Sequence, residues 1–179
     1  TLFPYTTLFR SLRSDLVRKQ LFERAVREDT VAAFGEGIYS RQATALTYGK
    51  LLRLAQAEVE QGRSVVLDAT FGRRNRRREA LRLAGETGAA IVFVECTCPE
   101  ATIRRRLAER AGTHGASDAR LEHYEALQAA FEPGDELPAG CRIRVDTEQP
   151  VAAGLRRIFA RLQAPNNCLE ERLALVDGQ

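Results

Sequence analysis

The chain has no methionine and no tryptophan, and only two of its 27 basic residues are lysines, Lys19 and Lys50. Without a methionine the sequence has no translation start of its own, so we expect a fragment or a processed product. It also lacks the motif G-x-x-x-x-G-K-[ST], whose backbone amides and lysine bind phosphates. Its one Gly-Lys pair, Gly49-Lys50, is followed by leucine and therefore does not meet this pattern.

Long apolar runs are also missing. No stretch reaches the roughly 20 apolar residues that cross a membrane, and residues 1–10 lack the apolar core and cleavage site of a signal peptide. The sequence therefore predicts a cytoplasmic protein. The four cysteines have no matching Cys or His pair at zinc spacing, which disfavours a zinc site.

What is present is an alternation of helical and strand patterns in 179 residues, 44% of them hydrophobic, enough for one core. Apolar periodicity and capping residues predict helices from Ser14 onward and over 39–61, 74–86, 99–110, 117–131 and 150–162. Apolar runs predict strands over 64–70, 90–96 and 142–146. Continuous apolar strands separated by helices indicate a three-layer α/β domain with a parallel sheet.

The strand S-V-V-L-D-A-T, residues 64–70, carries the clearest chemical signal. It ends in Asp68, with Thr70 two residues later, at the strand edge where open α/β sheets bind ligands. We interpret Asp68 as a Mg²⁺ ligand. The alternative is a strand-terminal aspartate that caps the next turn.

Several ordered motifs carry a family resemblance: R-S-D at 13–15 followed by V-R-K, G-I-Y-S at 37–40, V-L-D-A-T-F at 66–71, R-L-A-E-R at 106–110 and S-D-A at 117–119. Together they resemble the P-loop kinase-like ATP-binding proteins, AAA family ATPases related to zeta toxins, gluconate kinases and polynucleotide 5′-kinases. The resemblance is closest to the ATP-binding domain of proteins that also carry an aminoglycoside-phosphotransferase-like domain.

The resemblance implies a three-layer P-loop NTPase-like parallel sheet that is incomplete here, because the first strand and the phosphate loop are missing. The gap is expected between the strands at 64–70 and 90–96. Residues 1–11 do not resemble the family and are interpreted as a non-native, adapter-like segment. The alternative is a native segment in which Thr6 to Phe9 pair in the sheet as a substitute strand. Residues 12–163 are expected to form the kinase-like domain, without its phosphate loop, and residues 164–179 a C-terminal tail.

The resemblance also implies a function: transfer of the γ-phosphoryl group of MgATP to a hydroxyl of a small molecule or a nucleic acid. This truncated chain is expected to be inactive. Asp15 is the expected general base and contacts the substrate, and Arg18 and Tyr39 are further substrate-binding candidates. Asp68 is the expected metal ligand.

Three other residues are expected at the nucleotide. Thr70 orients a phosphate, and Arg106 and Arg110, four residues apart on one helix face, belong to a lid that offsets charge on the transferring phosphate. Each role has a simpler alternative. A carboxylate in a first helical turn stabilises the helix dipole, and arginines on a helix face are commonly solvated.

Two other functions stay open. The chain fits a non-catalytic ATP-sensing or regulatory module of a larger fused protein. The arginines at 73, 74, 76, 77 and 78 suit a nucleic-acid partner, although the cluster lacks aromatic side chains for base stacking and solvated arginines are the favoured interpretation.

Overall fold

The computed structural model describes residues 9–22, 39–110 and 121–163. The segment 111–120, which follows Arg110 of the predicted lid, and the tail at 164–179 lie outside these residues. So does most of the segment 1–11.

The described chain divides into two compact units within one helix, between Leu83 and Ala84. The elements of the first unit are β1 (Phe9–Arg13), α1 (Ser14–Phe22), α2 (Arg41–Val59), β2 (Ser64–Asp68) and most of α3 (Arg74–Thr87). Those of the second are the end of α3, β3 (Phe93–Thr97), α4 (Glu100–Arg110), α5 (Leu121–Ala129), β4 (Arg142–Asp146) and α6 (Val151–Gln163).

Each unit contains one pair of parallel strands. β1 pairs with β2 from Phe9 opposite Ser64 to Arg13 opposite Asp68. β3 pairs with β4 from Phe93 opposite Arg142 to Thr97 opposite Asp146. The mixed α/β fold with parallel strands is thus confirmed in the described residues, whose strands form two separate pairs. The third layer and the missing strand stay predictions.

Strand β1 shares only Phe9 with the substitute strand offered as an alternative, and Arg10 to Arg13 were not predicted to be a strand. Only Phe9 and Leu12 of its five residues are apolar, so the segment lacks the apolar run that marked the other strands. Its backbone groups find partners along β2, which is what makes the segment a strand. The strand begins at Phe9, inside the segment interpreted as adapter-like, and it delivers Arg13 to the same sheet edge as Asp68.

Helix α2 supplies the core of the first unit. Ser40 caps it by accepting a hydrogen bond from the Ala43 amide at 3.1 Å. Residues spaced by four along the helix, Ala43, Thr47, Leu51 and Ala55, are all buried. The predicted helix over 39–61 is therefore confirmed.

The Gly49-Lys50 pair lies in the middle of α2. Its backbone amides belong to the helix, so this pair is not a phosphate-binding loop. No helix among the described residues is long and apolar enough to span a membrane.

Candidate functional site

The candidate site of the first unit lies at the carboxyl ends of β1 and β2. Arg13, the last residue of β1, donates from Nη2 to Asp15 Oδ2 at 2.8 Å. Its Nε lies 3.6 Å from Asp68 Oδ2, across the strand pair. One guanidinium therefore contacts both of the carboxylates that the sequence singled out.

The two carboxylates differ in their surroundings. Asp15 stands in the first turn of α1, where the helix dipole favours negative charge, and its Oδ1 also accepts from the Leu16 amide at 2.8 Å. Its side chain is 24% exposed, whereas that of Asp68 is 66% exposed. Asp15 is thus held in one orientation, and Asp68 is open to solvent and to ligands.

Arg18 and Tyr39, the two substrate-binding candidates, are brought together. The guanidinium carbon of Arg18 lies 5.0 Å from the centre of the Tyr39 ring, within the range of a cation–π interaction. Arg18 Nη1 also donates to Thr44 Oγ1 at 3.4 Å. The pair sits one helical turn after Asp15, because Arg18 follows it by three residues in α1.

Thr70 is bound to a residue that the sequence analysis had not assigned to the site. Its hydroxyl lies 3.1 Å from the hydroxyl of Tyr48, which also accepts from the Phe71 amide at 3.2 Å. The Tyr48 and Phe71 rings meet edge to face, with their centres 5.4 Å apart. Tyr48, buried in α2, therefore fixes the turn that follows β2.

That turn contains an uncommon backbone conformation. Phe71 has φ of 41°, a left-handed value that residues other than glycine rarely adopt. Arg77 donates from Nη1 to the Phe71 carbonyl at 2.8 Å and is only 3% exposed. The interpretation of the arginine cluster as solvated is therefore wrong for Arg77, because its guanidinium is buried and hydrogen-bonds to the turn.

Arg106 and Arg110 belong to α4 in the second unit. Arg106 donates to Thr147 Oγ1 and to the Thr147 carbonyl, both at 2.8 Å, and its Nη1 lies 3.9 Å from Cys98 Sγ. These contacts tie α4 to the turn after β4, so an interaction of Arg106 with a phosphate would use other N–H groups or replace these bonds. Arg110 is the last residue of α4, and its side chain lies outside the described residues.

The exposed carboxylate of Asp68 is compatible with binding Mg²⁺. This ion prefers oxygen ligands, keeps several waters and binds through one or two carboxylates together with substrate phosphates. Among the residues that the structure describes there is no group of three or more His, Cys, Asp or Glu side chains suited to holding a metal. A site that depends on waters and phosphate oxygens for its other ligands remains consistent with this geometry.

Two residues of the site were missed by sequence reasoning. Arg13 was seen only as part of the R-S-D motif, and its role becomes visible once β1 places it opposite Asp68. Tyr48 was given no role in the site, and it is buried. The signal that was overlooked is its phenol, since a buried tyrosine hydroxyl needs a hydrogen-bond partner.

Parallel strands joined by helices, with carboxylates at one carboxyl edge, define a mixed α/β protein consistent with a P-loop-like fold. A family model described as AAA domain matches residues 5–134, which is more than half of the chain. The chain belongs to this AAA domain family, a group of P-loop kinase-like, nucleotide-binding domains.

The chain is also similar to uncharacterised mycobacterial proteins. Relatives from Mycobacterium tuberculosis, strains H37Rv and CDC 1551, and from Mycobacterium bovis are each 34% identical to it over 142 residues. The matched region is 78% of this chain and 26% of each relative. The chain therefore spans about a quarter of the length of the curated relatives it matches.

Proposed function

We propose that this chain is part of a kinase that transfers the γ-phosphoryl group of MgATP to a hydroxyl of a small molecule or a nucleic acid. The observation that carries the proposal is the contact of Arg13 with both Asp15 and Asp68 at one strand edge. A base and a metal ligand are required next to each other in this chemistry, because the attacking hydroxyl and the bound phosphate must meet. Membership of the AAA domain family supports the nucleotide.

In the proposed reaction Asp15 accepts the proton of the acceptor hydroxyl while the oxygen of that hydroxyl bonds to the γ-phosphorus. The bond between that phosphorus and the β–γ bridging oxygen breaks, and ADP leaves with the electron pair. Asp15 suits this role because Arg13 and the Leu16 amide hold its carboxylate in one orientation. Arg18 and Tyr39 bind the acceptor beside it.

Asp68 would hold Mg²⁺, directly or through water, and Thr70 would orient a phosphate or substrate group. The bound ion would offset negative charge on the phosphates. Tyr48 supports this arrangement because it bonds both the Thr70 hydroxyl and the Phe71 amide. We further propose that Arg106 and Arg110 act as lid residues that offset charge on the transferring group.

The sequence contains no G-x-x-x-x-G-K-[ST] motif, and this loop is the main phosphate site of P-loop proteins. We therefore expect the 179-residue chain alone to bind MgATP weakly or not at all. Saturable micromolar binding in a calorimetric titration of the chain would contradict this expectation.

The same absence favours a second candidate function, a non-catalytic ATP-sensing or regulatory module. Asp15→Asn in the complete gene product separates the two. If Asp15 is the base, γ-phosphoryl transfer falls by roughly 10²- to 10⁴-fold while ATP affinity is retained. In a sensing module the substitution has no transfer to abolish, so a wild-type protein that binds ATP without transferring phosphate supports the second function.

The salt dependence of binding distinguishes a nucleic-acid acceptor from a small-molecule acceptor. A nucleic-acid acceptor would make binding fall steeply with salt, because lysine and arginine contacts release counterions from the phosphate backbone. A small-molecule acceptor would not show this slope. A fused aminoglycoside-phosphotransferase-like domain is part of the proposal and is tested by sequencing the complete gene.

A further inference from the structure

We propose that Arg13 is a positioning residue that serves as the internal counter-cation of the Asp15 and Asp68 pair. Its guanidinium contacts both carboxylates, and a divalent cation that binds Asp68 must displace it from that carboxylate. The proposal rests on the metal role proposed above for Asp68. The geometry behind it is the 2.8 Å contact of Nη2 with Asp15 and the 3.6 Å contact of Nε with Asp68.

The guanidinium is not optimally paired. Arg13 Nε is buried and has no hydrogen-bond partner, since 3.6 Å to Asp68 Oδ2 is an ion-pair distance that exceeds a hydrogen bond. A guanidinium that pairs with one carboxylate alone can use two parallel N–H donors, which is the stronger arrangement. Arg13 instead divides its donors between two carboxylates, and this arrangement favours displacement of the guanidinium.

The weaker of the two contacts is also the accessible one. Asp68 is 66% exposed, so a hydrated cation reaches its carboxylate from solvent. The cation and the guanidinium carry charge of the same sign and use the same oxygens, so they compete. Arg13 then remains with Asp15 at 2.8 Å, where it continues to orient that carboxylate.

The test uses the 179-residue chain and Mn²⁺ as a probe, with free Mn²⁺ followed by electron paramagnetic resonance. Arg13→Gln removes the competing charge, and we expect it to tighten Mn²⁺ binding about tenfold. Arg13→Lys keeps the charge and should stay within about twofold of wild type. A residue that merely supported the fold would weaken binding when replaced, so unchanged or weaker binding in a folded Arg13→Gln protein overturns the proposal.

Asp68→Asn separates this inference from the function on which it rests. If Asp68→Asn binds Mn²⁺ as wild type does, the metal role of Asp68 is wrong. The proposed displacement of Arg13 by the metal is then wrong as well. If Asp68→Asn weakens binding but Arg13→Gln does not tighten it, only the role of Arg13 is wrong.

A second measurement does not depend on the folding of Arg13→Gln. The side-chain Nε–H resonance of Arg13, identified by its loss in Arg13→Lys, is followed in wild-type protein during a Mg²⁺ titration. We expect it to shift and to saturate together with metal binding. A resonance that stays in place at saturating Mg²⁺ overturns the proposal.

Discussion

Strands β2 and β4 end in the same way in sequence but differently in structure. Each has five residues, runs parallel to its partner and finishes in aspartate. Asp146 accepts from the Glu148 amide at 2.9 Å and from Gln149 Nε2 at 3.4 Å. Asp68 contacts Arg13 of the neighbouring strand instead.

The difference lies in the turns that follow the two strands. After β4 the Glu148 amide donates to Asp146, so Asp146 caps the turn that follows its own strand. After β2 the amide of Phe71 donates to the Tyr48 hydroxyl, and Asp68 forms an ion pair with Arg13. A terminal aspartate is therefore available for a ligand where another side chain holds the turn.

Removing the carboxylates of Asp68 and Asp146 in turn tests whether the two strand ends differ in function. If Asp68 holds the metal as proposed, Asp68→Asn in the complete gene product should lower γ-phosphoryl transfer by roughly 100-fold or more. Asp146→Asn should leave transfer within about twofold, because an asparagine still caps the turn. Initial rates with radiolabelled ATP measure both, and equal losses in the two variants would contradict the contrast.

Helix α6 offers a test of packing against β4. A Cβ added at Gly154 would meet Val145 Cγ1 at 2.8 Å, so Gly154→Ala should destabilise the protein by about 1 to 3 kcal/mol. At Gly49 in α2 an added Cβ meets nothing within 4 Å, and Gly49→Ala should stabilise by about 0.5 to 1 kcal/mol through helix propensity.

Urea unfolding measures both glycine variants. Gly49→Ala also tests whether the Gly49-Lys50 pair has any role toward phosphate. Its ATP affinity should equal that of the wild type, and a loss would contradict the assignment of this pair to α2.

The turn after β2 is probed by removing one oxygen. Tyr48→Phe keeps the ring contact with Phe71 but deletes the hydroxyl that bonds Thr70 and the Phe71 amide. We expect a loss of about 1 kcal/mol in the free energy of unfolding. The control is Tyr124→Phe. The ring centre of Tyr124 lies 5.3 Å from the guanidinium carbon of Arg104, and loss of its hydroxyl should change the free energy of unfolding by less than about 0.5 kcal/mol. Equal effects of the two variants would contradict a role for the Tyr48 hydroxyl.

The smallest effect is expected from the ion pair that joins β3 and β4. Burial raises the pKa of Glu95, but hydrogen bonds from Arg142 and Arg144 outweigh it and hold the pKa below its ordinary value. The stabilisation is present above the unfolded pKa, about 4.3, and is lost as pH falls through the lowered folded pKa. The partly exposed pair is worth up to about 1 kcal/mol.

Urea unfolding of wild type and Glu95→Gln at pH 7 and at acidic pH checks the prediction for Glu95. The wild type should lose more stability on acidification than the variant does. An equal loss in the two proteins would show that Glu95 does not contribute to the pH dependence.

Much of the fold was predictable from local pattern. The strands around Val66, Val94 and Val145 follow apolar runs, and α2 follows from its periodicity and from Ser40 as its cap. Most of β1, beyond Phe9, was not predictable, because its pairing depends on β2 more than 50 residues away and not on its own composition. Non-local pairing of this kind leaves no trace in a five-residue segment.

The site followed the same division. Asp68 was identified from its place at the end of a strand pattern and Asp15 from the family resemblance, and their contact with one guanidinium required β1. The burial of Arg77 could not be predicted either. Arg77 is one of five clustered arginines, and what distinguishes it is its hydrogen bond to the left-handed turn at Phe71. Sequence thus indicated the candidate groups, and tertiary structure supplied their partners.

Mapping the position of the bound metal is the most direct test of the proposed role of Asp68. Fe²⁺ replaces Mg²⁺ in the complete gene product with ATP, and hydroxyl radicals formed at the ion cut the nearest backbone, which mass spectrometry then locates. We predict ATP-dependent cuts beside Asp15 and Asp68 that disappear in Asp68→Asn. Cuts confined to the neighbourhood of Asp146, or cuts at Asp15 and Asp68 that persist in Asp68→Asn, would contradict the assignment of this strand edge as the site of phosphoryl transfer.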